Sequence, residues 1–86
     1  MSQWEKLINE ILREDARLRF ADLCKALEKM GYSARQPRRG SSHWTFRKTG
    51  CAPITIPKHN PINKAYIAMV AEIVRTNLAE EESGNE

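Results

Sequence analysis

His43-Trp-Thr-Phe-Arg-Lys-Thr-Gly-Cys-Ala-Pro-Ile-Thr-Ile-Pro57, the stretch HWTFRKTGCAPITIP at residues 43–57, decides the fold. HWTFRK alternates strictly. Trp44 and Phe46 point one way, and His43, Thr45 and Arg47 point the other, which is the two-residue period of a half-buried strand. APITIP alternates again, with Ile54 and Ile56 on one side and Thr55 opposite. Thr49-Gly50-Cys51 supplies the hairpin between them. Pro53 and Pro57 limit that strand's pairing and stop it, because proline has no N–H to donate. One face of this hairpin is therefore apolar and needs a cover. The other carries a histidine, an arginine and threonines.

The cover comes from outside the hairpin. Upstream, FADLCKALEKMGY (20–32) places Phe20, Leu23, Cys24, Leu27 and Met30 at helical spacing. Gly31 is its left-handed stop, and Asp22 and Lys29 suit the helix dipole at its two ends. YSARQ (32–36) reads as a short strand and PRRGSS (37–42) as a turn. Downstream, KHNPIN (58–63) is a loop. KAYIAMVAEIVRTNL (64–78) is a helix with Tyr66, Ile67, Val70, Ile73 and Val74 on one stripe, and Asn63 stands where a cap would. An earlier helix over about residues 3–14 carries Trp4, Leu7, Ile8, Ile11 and Leu12, with Ser2 as its N-cap. The segment 15–19 joins it to the second helix. The order is helix, helix, three strands, helix, which predicts an α+β two-layer sandwich with one open face.

Eighty-six residues make one domain, 1–86. A chain of this length has a modest core and no room for a bulky organic cofactor, so a substrate would lie across its surface. No cofactor is expected. No apolar run approaches the roughly 20 residues that span a bilayer, and the charged, amphipathic N-terminus does not read as a signal peptide. The expected location is the cytoplasm, with no membrane partner. Cys24 and Cys51 fit it as free thiols. A zinc site from Cys24, His43, Cys51 and His59 lacks a closely spaced ligand pair.

The charge is unevenly placed. The net charge is +3, yet residues 29–71 contain eight basic side chains and no Asp or Glu. Four glutamates crowd the end, 80, 81, 82 and 86, and 79–86 reads as a disordered acidic tail. A long stretch of one sign concentrates positive potential and attracts polyanions, above all nucleic acid. Solubility alone would be met equally well by scattered lysines.

These residues carry a resemblance. A helix ending in KMGY, the turn Gly40-Ser41-Ser42-His43 opening a strand, and a strand closing in Ile56-Pro57-Lys58-His59 before a last helix resemble the HicA family. Its members are the RNA-cleaving toxins of HicA–HicB toxin–antitoxin pairs. The likeness runs from about residue 20 to about residue 74. It implies a fold similar to double-stranded-RNA-binding domains, α-β-β-β-α, over a core at 19–78 with residues 1–18 as an extra N-terminal helical extension. It implies that His43 is catalytic, that mRNA is the substrate, and that a HicB-type antitoxin covers the active face. Two features depart from the pattern. Many members have a second histidine in the glycine-serine turn, where this chain has Ser42. The N-terminal helix is additional; it either packs on the domain or meets the antitoxin.

The chemistry agrees with the residues. RNA carries its own nucleophile, so a base that takes the 2′-OH proton and an acid that protonates the leaving 5′-oxygen suffice without a metal. Histidine does either near neutral pH. Arg38, Arg39, Arg47 and Lys58 would hold the backbone and stabilise charge on the phosphoryl oxygens, with Arg35 in the same cluster. The amides of Gly40, Ser41 and Ser42 would bind a phosphate oxygen, and the two hydroxyls add contacts. His59 is a second acid, a phosphate contact or a structural loop residue. Trp44 and Phe46 belong to the core by their alternation, and not to a base-stacking surface. A hydrolytic Ser-His-Asp arrangement fails because no acid lies nearby to orient the imidazole. Metal-dependent nuclease chemistry needs clustered carboxylates, which the middle of the chain lacks. The alternative is a non-catalytic RNA-binding module of the same fold. A third reading is a protein-interaction domain with an acidic partner.

Overall fold

The structure, a computed structural model, describes residues 2–36, 38–39 and 42–84. The elements are α1 Gln3–Leu12, α2 Phe20–Lys29, β1 Ser33–Arg35, β2 His43–Arg47, β3 Ile54–Pro57 and α3 Lys64–Gly84. Three helices and one three-stranded antiparallel sheet, ordered β1-β2-β3, make a small α+β domain.

Local chemistry sets the helix ends. The Ser2 hydroxyl accepts the Glu5 N–H at 3.1 Å and starts α1. After α1 the chain reverses through Glu14, whose φ of 52° lies in the left-handed region. Asp15 then clamps the connector. Its carboxylate accepts the Arg17 backbone N–H at 2.9 Å and the Arg17 guanidinium at 3.1 and 2.9 Å. Those hydrogen bonds hold the Asp15 carboxyl well below the usual carboxylate range. The start of α2 is tied to a distant loop, because the Phe20 N–H donates to Asn60 Oδ1 at 3.1 Å. Its end is a Schellman turn: Tyr32 N–H donates to the Leu27 carbonyl and Gly31 N–H to that of Glu28, with Gly31 at φ 99°. Asn63 caps α3, its side chain accepting the Ala65 N–H at 2.9 Å.

One apolar cluster joins all the layers. Phe46 and Ile56 of the sheet, Leu23 and Leu27 of α2, Ile67, Val70 and Val74 of α3, and Ile11 of α1 are all buried in it. The Phe20 ring meets Trp44 edge-on at 5.8 Å and Phe46 at 6.4 Å, pinning α2 to β2. Among the described residues no polar or charged residue is buried, so the core rests on apolar burial alone.

The N-terminal helix is part of this core. It contributes Ile8 and Ile11 and packs mainly on α3. Arg75 of α3 fastens it, donating to the Leu12 carbonyl at 3.1 Å and pairing with Glu14 at 3.8 Å and Glu72 at 3.3 Å. The other end differs from the sequence expectation. Helix α3 runs to Gly84 instead of stopping at Leu78. Ala79 and the three glutamates after it are good helix formers, and no breaker precedes Gly84. Among the described residues no helix is long and apolar enough to cross a membrane.

Candidate nucleic-acid interface

Strand pairing sorts the sheet's side chains into two faces. In β1–β2, Ser33 lies opposite Arg47, Ala34 opposite Phe46 and Arg35 opposite Thr45. In β2–β3, His43 lies opposite Pro57, Trp44 opposite Ile56, Thr45 opposite Thr55 and Phe46 opposite Ile54. Directly opposed residues share a face. Trp44, Phe46, Ile54 and Ile56 therefore face the helices. Ser33, Arg35, His43, Thr45, Arg47, Thr55 and Pro57 form the open face. No carboxylate lies in any of the three strands.

His43 is the first residue of β2 and is exposed. Its neighbours on the open face follow from the register. Pro57 is directly across. Thr45 is two residues along the strand, about 7 Å away. Arg35 and Thr55, both opposite Thr45, are its diagonal neighbours at about 7–8 Å. Arg47 is four residues along, about 13 Å by strand rise. Arg35 thus lies between the histidine and Arg47, diagonal to each. The sequence groups Arg35 with Arg38 and Arg39 as one cluster of arginines near the histidine. Pairing separates it from them and makes it the strand cation nearest to His43 on this face.

The remaining candidates fall in several places. Arg38 and Arg39 are exposed in the β1–β2 connection. Gly40 and Ser41 lie outside the described residues. Ser42 is half-buried, and its carbonyl accepts the Lys58 N–H at 2.8 Å, extending the β2–β3 ladder by one step. That step puts Lys58 on the side of Ile56, not on that of His43. The Lys58 ammonium accordingly lies 5.9 Å from the centre of the Trp44 ring, a cation–π contact at the rim of the helix side. His59 is exposed, with its backbone N–H donating to the Pro57 carbonyl at 3.0 Å. The open face brings together His43, Arg35 and Arg47, while Lys58 and His59 lie round the end of the sheet.

The cysteines stand apart from this face. Cys24, half-buried on α2, has its thiol pushed up to about 11 by burial, with Glu28 adding to the shift and Lys58 opposing it. It is a neutral thiol at physiological pH and no nucleophile. Cys51 is exposed at the β2–β3 hairpin. Among the described residues no three His, Cys, Asp or Glu side chains come together as a metal ion would need.

The arrangement offers an imidazole that can move a proton, two guanidiniums that can hold phosphoryl oxygens, and two threonine hydroxyls between them. Compared with known proteins, the chain matches no family model, no curated protein and no solved structure.

Proposed function

We propose that this chain is a metal-independent endoribonuclease toxin of the HicA type, which cleaves mRNA and so inhibits translation. The observation that carries the reading is an exposed histidine at the start of β2, on a carboxylate-free sheet face it shares with Arg35 and Arg47. The order α2-β1-β2-β3-α3 fits the α-β-β-β-α arrangement of double-stranded-RNA-binding domains, and that likeness belongs to the same reading.

In the reaction His43 takes the 2′-OH proton. The 2′-oxygen attacks the adjacent phosphorus, a new P–O bond forms, and the bond to the 5′-oxygen breaks. A proton returns to that 5′-oxygen, leaving a 2′,3′-cyclic phosphate and a 5′-hydroxyl. Arg35, the nearer guanidinium, offsets the charge that builds on the non-bridging oxygens, and Arg47 holds the backbone beyond it. A HicB-type antitoxin is the partner in this reading. It would neutralise the toxin in the cytoplasm by covering His43 and the arginines.

The test is incubation of purified protein with mRNA in EDTA. Cleavage by the wild type that falls about a hundredfold or more in His43→Ala, with the fold intact by circular dichroism, is the expected result. Cleavage that persists in His43→Ala removes the proposal. Salt-sensitive binding without cleavage by the wild type would assign the non-catalytic RNA-binding module instead.

A further inference from the structure

We propose that the RNA path does not end on the sheet. It continues over the sheet's end into a recess beside the start of α2, where Arg19 holds a phosphate of the same strand. This rests on the ribonuclease reading above and extends its binding site to a residue of the α1–α2 connector.

The route is built from contacts already described. From His43, the chain opposite is Pro57, and the next ladder step joins Ser42 to Lys58. Lys58 turns to the helix side and stands over Trp44, whose ring meets Phe20. Phe20 follows Arg19 in the chain, and its N–H is held by Asn60 Oδ1. Residues 57–60 span at most about 11 Å when fully extended. Arg19 is therefore separated from His43 by one short loop whose exposed residues, Lys58, His59 and Asn60, include one cation and one imidazole.

The end of the route is concave. A recess of about 450 Å³ is lined by Ala16, Arg17, Leu18, Arg19, Asn60 and Pro61. Two acids stand near it, and both are engaged. Asp15 accepts three hydrogen bonds from Arg17 and is also 3.5 Å from the Arg13 guanidinium. Asp22 accepts the Arg19 backbone N–H at 2.9 Å. Arg17 spends its guanidinium on Asp15, so the cation left to meet a phosphate is Arg19, which is exposed. The backbone at Arg19 is fixed by its own bond to Asp22 and by the Phe20–Asn60 bond beside it, so the side chain projects from a rigid base. A planar guanidinium on a fixed base suits bidentate phosphate contact.

The experiment measures binding of a fluorescent 2′-O-methyl dodecanucleotide, which has no 2′-OH to react and cannot be cut. Wild type, Arg19→Glu, Arg19→Ala and Arg19→Lys are compared over a range of salt. Arg19→Glu is expected to weaken binding about tenfold near physiological salt and to make the plot of log K against log salt shallower by about 0.7, one phosphate contact to a single strand. Arg19→Ala shows the same slope change with a smaller loss, and Arg19→Lys stays close to wild type. Melting curves separate lost contact from a disturbed α2. Arg19→Glu and Arg19→Ala proteins that bind as the wild type does, with an unchanged slope, overturn the proposal. If that wild type still cuts mRNA, the sheet site stands and only the extension falls. A wild type that neither binds the probe nor cuts mRNA brings down both.

Discussion

The two faces of the sheet are made by the same residues in alternation, and they obey different rules. The helix side holds Phe46 and Ile56 with no exposed surface and Trp44 partly covered. Phe46 and Ile56 are fixed by their neighbours, so a change of one or two methylenes there is felt. The open side holds His43, Arg35 and Arg47, all exposed. The first face sets whether the domain folds. The second keeps its charged side chains where a ligand can reach them. Removing a side chain from one face should therefore cost stability, and from the other it should cost function.

Phe46→Ala is the harshest test of that division. The ring is fully buried and touches Phe20. Truncating such a ring costs about 3–5 kcal/mol, a large part of the total stability of a domain this size. At about 4–8 °C per kcal/mol, thermal unfolding should begin near or below room temperature for any but a very stable parent. His43→Ala, three positions back along β2 and on the other face, should leave the melting curve within about 0.5 kcal/mol of the wild type. Comparable losses of stability in both variants would break the comparison.

Arg35→Ala sharpens it on the open side. The side chain is a diagonal neighbour of His43, and in the proposed reaction removing one pre-placed cation from the charge that builds on phosphate should slow cleavage about ten- to a hundredfold. Arg47→Ala, farther along the same face, should cost less in the chemical step and show more of its effect in KM. Equal rates for wild type and Arg35→Ala would mean that the register has been misjudged as a guide to the reacting groups.

That register was the least legible part of the sequence. The helices declared themselves by their stripes, and β2 and β3 by alternation, because burial on one side imposes a period. The Gly31 stop and the Asn63 cap were readable from single residues. Arg35 was not placed, since Ser33, Ala34 and Arg35 are all exposed and an exposed strand has no period to read. Only its pairing with Thr45 aligns it with the histidine. Lys58 is a different case. It shares the parity of Ile54 and Ile56, so its turn toward the helix side was present in the spacing and was outweighed by its charge. Arg19 carried no local signal, because its position depends on Asn60, far away in the chain. The extended α3 was hidden by the glutamate run, which reads as a solvated end although each residue in it favours helix.

Trp44→Leu carries the smallest effect and asks where the boundary between the faces runs. Trp44 is only partly covered, and its ring has two partners, the edge of Phe20 and the ammonium of Lys58. Leucine keeps an apolar body but forfeits both ring contacts, a loss of about 1–2 kcal/mol and several degrees in melting temperature. An aromatic half-open to solvent beside a lysine could also serve as a stacking platform for a base, where removal costs about 1–3 kcal/mol of binding. The two roles separate in a single pair of measurements. If Trp44 belongs to the helix side, the variant melts earlier and binds the uncleavable dodecanucleotide with wild-type affinity and salt slope at a temperature where it is folded. If affinity drops while the salt slope holds, a non-ionic stacking contact has been lost. The covered face would then reach solvent at its Lys58 end, and the division of labour would hold for Phe46 and Ile56 but not for the residue that begins the stripe.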